Sequence, residues 1–376
     1  IVESDVEIGV DRTMTRDASG YGSHLETGVV AASTTWYFAE GSTSGDFALF
    51  YLLQNPQATA VTATVTYLRP SGLPPIVRTY TLPPGSRTTI VVDGELPELA
   101  STDLSAAITA TAPIVAERAM YLSKPGQPFA AGHESAGVTA PALNWFLAEG
   151  ATGTFFDLFV LVANPGATDA TIEVEYLLSS GPPLTKTYTV PAHSRMTIWV
   201  DDEELPAGSG QKPLAADSLS TVVRVTNGVP VIVERAMWWP GPAVASNFWY
   251  EAHNSPGATG TATRWVLGGA EVAGSDGAET YVLIANTTST AVEAAVNLLS
   301  DYAATGQKIV TVPAKSRVTV SLATLFDTAP LSGRYGVLVE SRGDAPAPIV
   351  VERATYASPD GVFWGRGGNA LASPLP

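Results

Sequence analysis

Apolar and polar side chains alternate with a period of two over short stretches along this whole chain. In Val61-Thr-Ala-Thr-Val-Thr-Tyr67 the odd positions are apolar and the even ones threonine. Ile172–Tyr176 and Val292–Val296 keep the same apolar face and turn Glu to the other side. Such alternation predicts half-buried strands. A hairpin is expected where Thr79–Leu82 meets Pro83-Pro-Gly-Ser86 and then Arg87–Val92, and the matching turns are Pro191-Ala-His-Ser194 and Pro313-Ala-Lys-Ser316. Further strands fall at Leu49–Leu53, Phe159–Ala163 and Tyr281–Ala285, each closed by Asn-Pro or Asn-Thr. Ile114–Tyr121, Val231–Trp238 and Ile349–Tyr356 are apolar on both faces, as central strands packed on two sides would be. A helical period is confined to short turns at Asp93–Leu99 and Asp201–Leu205.

The pattern repeats. Trp36-Tyr-Phe-Ala-Glu-Gly41 returns as Trp145-Phe-Leu-Ala-Glu-Gly150 and, more loosely, as Trp265-Val-Leu-Gly-Gly-Ala270. Asn55, Asn164 and Asn286 follow, then a Ser-Arg pair (Arg87, Arg195, Arg317), then Glu117-Arg-Ala, Glu234-Arg-Ala and Glu352-Arg-Ala. A period of about 115 residues is a whole domain and not a solenoid repeat of 20 to 50. Residues 31–140, 141–260 and 261–376 are therefore expected to be three complete units. Ile1-Val-Glu-Ser4 matches Leu338-Val-Glu-Ser341, and Val10-Asp-Arg-Thr13 matches Val351-Glu-Arg-Ala354, so residues 1–30 read as the last strands of a fourth unit. Two strands cannot bury an apolar face alone. Either the chain is a fragment of a longer one or a second copy completes these strands. About seven strands per unit, with turn signals every 8–12 residues, predict an all-β chain of tandem immunoglobulin-like β-sandwich domains.

Composition narrows the function. The 376 residues are 45% hydrophobic and only 15% charged, too apolar for a disordered chain, while no apolar run approaches the roughly 20 residues of a spanning helix. With 36 acidic against 20 basic side chains the net charge is −16, which disfavours nucleic acid and anionic membrane as partners. Cysteine is absent, so disulfides, thiolate metal sites and Cys nucleophiles are excluded.

Neighbouring strand residues point to opposite faces, so Glu117 and Arg118 cannot pair with each other within the sheet. A lone buried charge is costly, and the once-per-unit arginines offer partners: Glu117 with Arg87, Glu234 with Arg195 and Glu352 with Arg317 are the expected structural ion pairs. His24, His133 and His253 each stand 12 residues before a tryptophan (Trp36, Trp145, Trp265) and mark the domain joints, where a hydrogen bond to the neighbouring domain or a pH-sensitive contact is expected. His133-Glu-Ser-Ala-Gly137 resembles a nucleophile elbow, but its first Gly is missing, Pro141 stands where a helix would start, and no βαβ unit surrounds it. Asp46, Asp157, Asp201, Asp202, Glu203 and Glu204 lie at turns without a calcium-loop spacing and read as solvated acids. Trp238, Trp239, Phe248, Trp249, Tyr250, Phe363 and Trp364 gather near unit ends, where burial at joints or contact with a glycan would use them.

The strand ending in Asn-Pro, the Val-x-Val-x-Tyr strand, Val-Pro-Ala-x-Ser-Arg-x-Thr-Ile-x-Val and the Trp145–Asp157 signature resemble bacterial extracellular immunoglobulin-like repeat domains, and a repeat of large secreted proteins without an assigned activity. The third unit departs from this pattern at Gly268-Gly269-Ala270. The resemblance implies an extracellular or cell-surface location and a spacer, adhesive or assembly role. The expectation is a non-catalytic structural module, a stalk, surface-layer, filament or adhesin segment, with no catalytic residues, no metal and no cofactor. Its partners would be copies of itself, with strand donation by residues 1–30, or neighbouring domains of a longer chain. A carbohydrate-binding or accessory region of a larger secreted protein is the alternative.

Overall fold

The computed structural model describes residues 2–6, 8–16, 21–240, 249–273, 276–300, 304–325 and 331–375. Ile1 and Phe248, which the sequence reading uses, lie outside them. Among the described residues the chain is all-β, with short 3-10 turns at Val92–Gly94, Pro97–Leu99, Val200–Asp202 and Pro359–Gly361.

An N-terminal hairpin of β1 (Asp11–Thr15) and β2 (Ser23–Thr27) precedes three sandwiches. The first holds β3 (Ser33–Phe38), β4 (Phe47–Asn55), β5 (Val61–Pro70), β6 (Ile76–Leu82), β7 (Ser86–Val91), β8 (Ser105–Lys124) and β9 (Gln127–Ala136). The second holds β10 (Asn144–Leu147), β11 (Asp157–Asn164), β12 (Ala170–Leu178), β13 (Leu184–Val190), β14 (Ser194–Trp199), β15 (Leu219–Val225), β16 (Ile232–Trp239) and β17 (Glu251–Pro256). The third holds β18 (Arg264–Val272), β19 (Glu279–Asn286), β20 (Val292–Leu299), β21 (Ala304–Val312), β22 (Ser316–Ser321), β23 (Gly333–Ser341), β24 (Val350–Ala357), β25 (Arg366–Leu371) and β26 (Ser373–Pro374).

In the second sandwich a sheet of order β10-β15-β12-β13 faces one of order β14-β11-β16-β17. The third repeats this order as β18-β23-β20-β21 over β22-β19-β24-β25, with β26 added beside β18. In the first, β8 is long enough to serve both sheets: Ser105–Ala110 pairs with β3 and β5, and Val115–Lys124 pairs with β4 and β9. The first strand lies beside the sixth, whereas in an immunoglobulin domain it lies beside the second.

The period-two residues fill the interiors. Val61, Ala63, Val65 and Tyr67 are buried while Thr62 is exposed. Each unit's recurrent tryptophan satisfies its indole N–H by donating to the carbonyl three residues before the Glu of Glu-Arg-Ala: Trp36 to Ile114 (2.9 Å), Trp145 to Val231 (3.0 Å) and Trp265 to Ile349 (3.0 Å). The recurrent asparagine clamps a turn. Asn55 Nδ2 donates to Thr59, Leu82 and Pro83 carbonyls, and Asn286 repeats the set at Thr290, Val312 and Pro313. The glycine of Ala-Glu-Gly is also structural, since a Cβ on Gly41 would stand 2.8 Å from the Leu104 carbonyl and one on Gly150 2.8 Å from that of Leu219.

All eight residues of β16 are buried. One face looks into its own sandwich and the other meets neighbouring units, because the units do not lie in a line. The four hairpins β1–β2, β8–β9, β16–β17 and β24–β25 stand side by side: β2 packs on β9 and β25, and β17 packs on the same two. The sandwiches radiate from this four-membered centre. Short lateral contacts tie their bodies together. Ser194 and Arg195 of β14 pair in parallel with Arg69 and Pro70 of β5, and Ser316 Oγ donates to the Leu178 carbonyl (2.7 Å).

Candidate functional site: a closed ring of buried ion pairs

The Glu-Arg pairs lie at the centre of this arrangement. Each glutamate points to the unit before it and each arginine to the unit after, as alternation along a strand requires. Arg118 of the first sandwich donates to Glu234 of the second (2.6 Å), and Arg235 of the second to Glu352 of the third (3.0 Å). Arg353 of the third pairs with Asp11 of the hairpin (3.2 Å), and Arg12 of the hairpin pairs with Glu117 of the first sandwich (3.2 Å). The relay closes on itself.

Three of these four carboxylates, all but Glu117, also take a backbone N–H from the end of the Trp strand of the unit before. Glu234 accepts from Ala39 (2.8 Å) and Glu352 from Ala148 (2.7 Å). Asp11 does the same with Gly268 (3.2 Å). The departure of the third unit is thus matched to the hairpin: where the other joints use Ala and Glu, this one uses Gly268 and a shorter Asp. Glu40 and Glu149 add a second layer. Glu40 meets Arg118 (3.4 Å), His133 (3.3 Å) and the Asn254 amide (2.6 Å), and Glu149 meets the Asn369 amide (3.0 Å). At Gly269, which replaces this glutamate, Arg353 bonds the backbone carbonyl instead.

This corrects the expected ion pairs. Glu117, Glu234 and Glu352 are paired, but not with Arg87, Arg195 and Arg317. Within each unit the Ser-Arg strand and the Glu-Arg-Ala strand flank β4, β11 or β19, so they stand two strand spacings apart, about 9.5 Å. The neighbouring unit's arginine is closer. Arg195 instead reaches Asp103 of the first sandwich (3.3 Å), and Arg317 donates to the Gly150 carbonyl of the second (3.3 Å). Burial pushes both guanidinium pKa values down, with the acids of the adjoining unit opposing. Arg87 is exposed.

His24, His133 and His253 sit at one repeated position on β2, β9 and β17, and Gly368 of β25 takes the fourth place; the three histidines are buried. His24 Nδ1 contacts Glu134 (2.8 Å), and His253 Nε2 contacts the Tyr356 hydroxyl (3.0 Å). Burial lowers the pKa of His133 and His253, so both are neutral near pH 7. Glu26, beside them on β2, accepts from Thr27 N (2.8 Å) and Ala136 N (2.7 Å). Burial, with Glu134 and Glu117 nearby and those two N–H groups opposing, raises its pKa to about 8.

The turn acids have local work. Asp201 accepts from Leu158 N (2.8 Å) and Gly153 N (3.1 Å), and burial lifts its pKa to about 6. Asp157 accepts from the Trp249 indole (2.6 Å), while Asp202 and Glu203 pair with Lys212 and Lys186. Of the unit-end aromatics, Trp238 and Trp249 pack with Phe47 between the first two sandwiches, and Trp239, Tyr356 and Trp364 pack with Phe156 between the second and third.

Cavities accompany the ring among the described residues. One, of 620 Å³, lies where residues 26–31, 136–140, 256–261 and 371–374 leave the four hairpins, walled mainly by small apolar side chains and threonines. Another, of 220 Å³, lies between the first two sandwiches against Phe47, Phe159, Trp238, Trp249, Asp103 and Arg195.

Sequence reasoning identified the glutamates but missed Arg12, Arg118 and Arg235 as their partners, and the Asp11–Arg353 pair with them. The signal was present in the adjacency itself, because opposite faces of one strand address opposite neighbours.

No family model and no curated protein matches the chain. Among solved structures it is similar to the Anabaena sensory rhodopsin transducer, at 23% identity over 26% of this chain and 98% of that one, with a TM-score of 0.22. It is similar also to the Thermotoga maritima 1070 crystal structure, at 15% identity over 32% and 96% and a TM-score of 0.25. Dimeric latent PorU from Porphyromonas gingivalis matches at 9% identity over 89% and 29%, with a TM-score of 0.17. Likenesses at these TM-scores carry no argument about fold or activity.

Proposed function

We propose that the protein is a non-catalytic structural or assembly module of the cell exterior, in which sandwiches are locked about a centre and not strung out as independent beads. The observation that supports this reading is the head-to-tail relay from Arg12 through Glu117, Arg118, Glu234, Arg235, Glu352 and Arg353 to Asp11. Buried ion pairs contribute little net stability but penalise wrong neighbours heavily, which suits them to fixing register between repeats. The buried charges of the Glu-Arg-Ala strands join one unit to the next. The extracellular setting and the relation to immunoglobulin-like repeats rest on the motif resemblance.

Small-angle scattering tests the reading. A compact body of this length has a radius of gyration of roughly 21 Å, whereas three beads in a row would exceed about 30 Å. The larger value would exclude a ring.

The 220 Å³ cavity favours a second reading, recognition of a small glycan. Its Phe47, Phe159, Trp238 and Trp249 walls stand beside Ser42, Asp103 and Arg195, and Ser42 Oγ donates to Asp103 (2.9 Å). Flat rings beside a few polar groups suit a sugar. A glycan array without hits that Trp249→Ala abolishes would remove it.

A further inference from the structure

We infer that the ring has a vacant fourth place, and that a β-sandwich body of the same repeat, seated between the third sandwich and the first, fills it. The inference rests on the closed-ring reading above. The hairpin β1–β2 stands where the closing strands of such a body stand at the other three positions, but no sandwich radiates from it among the described residues.

Both walls of the gap expose what the two occupied joints bury. On the first sandwich Arg87 is exposed, whereas its counterparts Arg195 and Arg317 are 4% and 3% exposed against the preceding unit. On the third sandwich Leu299 is 37% exposed, whereas its counterparts by strand register, Leu68 and Leu177, are 2% and 0% exposed. The relay shows the same asymmetry. The Glu117 side chain is 24% exposed and that of Arg12 46%, while Glu234, Glu352, Arg118, Arg235 and Arg353 are at 1% or less. Among the described residues, none gives Glu117 the backbone N–H that Ala39 gives Glu234 and Ala148 gives Glu352. At the exit from the hairpin, Val138 and Ala258 each exchange two backbone hydrogen bonds with a Trp strand (Tyr37 and Phe146), but among the described residues no Trp strand stands beside Val29.

These features specify the occupant. Its Ala-Glu-Gly loop would donate an N–H to Glu117 and set a carboxylate against Arg12 and Arg87, as Glu40 does for Arg118 and Arg195. Its Ser-Arg strand would pair at the end of β20 and cover Leu299 there, as β14 pairs at the end of β5. Its Trp strand would take the two backbone bonds open at Val29. The surface is continuous in kind with two joints already formed, and its cationic wall faces an acidic loop.

The test adds such a body in register. Trp36 pairs with Ile108 and Trp265 with Val339, so Ile1, which matches Leu338, takes the place of Ala107. A copy of residues 31–106 is therefore fused directly ahead of Ile1 in the full chain. Arginine modification by phenylglyoxal, mapped by mass spectrometry, should slow at Arg87 by at least fivefold relative to the parent chain while Arg224, on the second sandwich, is unchanged. Leu299→Asp, or Gln in place of the added copy's loop glutamate, should restore reactivity. An unprotected Arg87 in the fusion, whether the added copy is folded or not, overturns the inference. An elongated parent chain in scattering would instead defeat the ring reading itself, so the two failures are distinguishable.

Discussion

Asp11 and Gly268 meet across 257 residues of sequence: the Gly268 N–H donates to the Asp11 carboxylate (3.2 Å), which also holds Arg353 (3.2 Å). The shorter acid reaches because the backbone opposite it carries no side chain. A Cβ on Gly268 would lie 3.3 Å from the Gly9 carbonyl and 3.4 Å from Asp11 itself. Asp11→Ala leaves Arg353 buried without its counter-charge and should cost about 3–5 kcal/mol. Gly268→Ala crowds the same contact and should cost about 1 kcal/mol. Urea unfolding measures both; two equal, negligible values would mean that the hairpin is not held through this pair.

The relay predicts a contrast between arginines that look alike in the repeat. Arg235→Met orphans the buried Glu352 and should destabilise by about 3–5 kcal/mol. Arg87→Met removes an exposed charge and should change stability by no more than about 0.5 kcal/mol. Adding Glu352→Gln to Arg235→Met should recover part of the loss, because the uncompensated charge is then gone. Calorimetric melting of the four proteins is the check.

Glu26 gives a pH dependence of definite sign. Its folded pKa, about 8, lies above the ordinary carboxyl value of 4.5. The folded state therefore holds this proton more tightly than the unfolded chain does. Its contribution is fully present below pH 4.5 and is lost as pH rises from there through 8. The buried histidines act in the opposite sense, since His133 and His253 are held neutral and oppose folding as pH falls below 6.5. Melting temperature followed from pH 5 to 9 should decline on the alkaline side, and Glu26→Gln should flatten that decline whatever its effect on absolute stability. An unchanged slope would place the titration elsewhere.

Trp145→Phe tests the sandwich interior apart from the ring. The indole N–H satisfies the Val231 carbonyl at 3.0 Å in a site with no exposure. Its loss should cost about 1–3 kcal/mol for the unpaired carbonyl, measured by urea denaturation.

Much of this was legible in the chain. Thr and Glu taking turns with Val and Tyr place strands, because a pleat sends successive side chains to opposite faces. Reuse of Trp36, Trp145 and Trp265, and of Asn55, Asn164 and Asn286, marks the units, because each performs one local bond that any copy of the sandwich needs. Even the partial unit at the N-terminus shows in Val10-Asp-Arg-Thr13. What the sequence by itself determined is therefore each sandwich, whose strand pairings lie almost wholly within about 110 residues. The partners of Glu117, Glu234 and Glu352 were decided only by tertiary structure. An ion pair within a unit and one between units draw on the same residue types, and only the radial packing of four hairpins brings Arg12, Arg118 and Arg235 within reach while holding Arg87 at the surface.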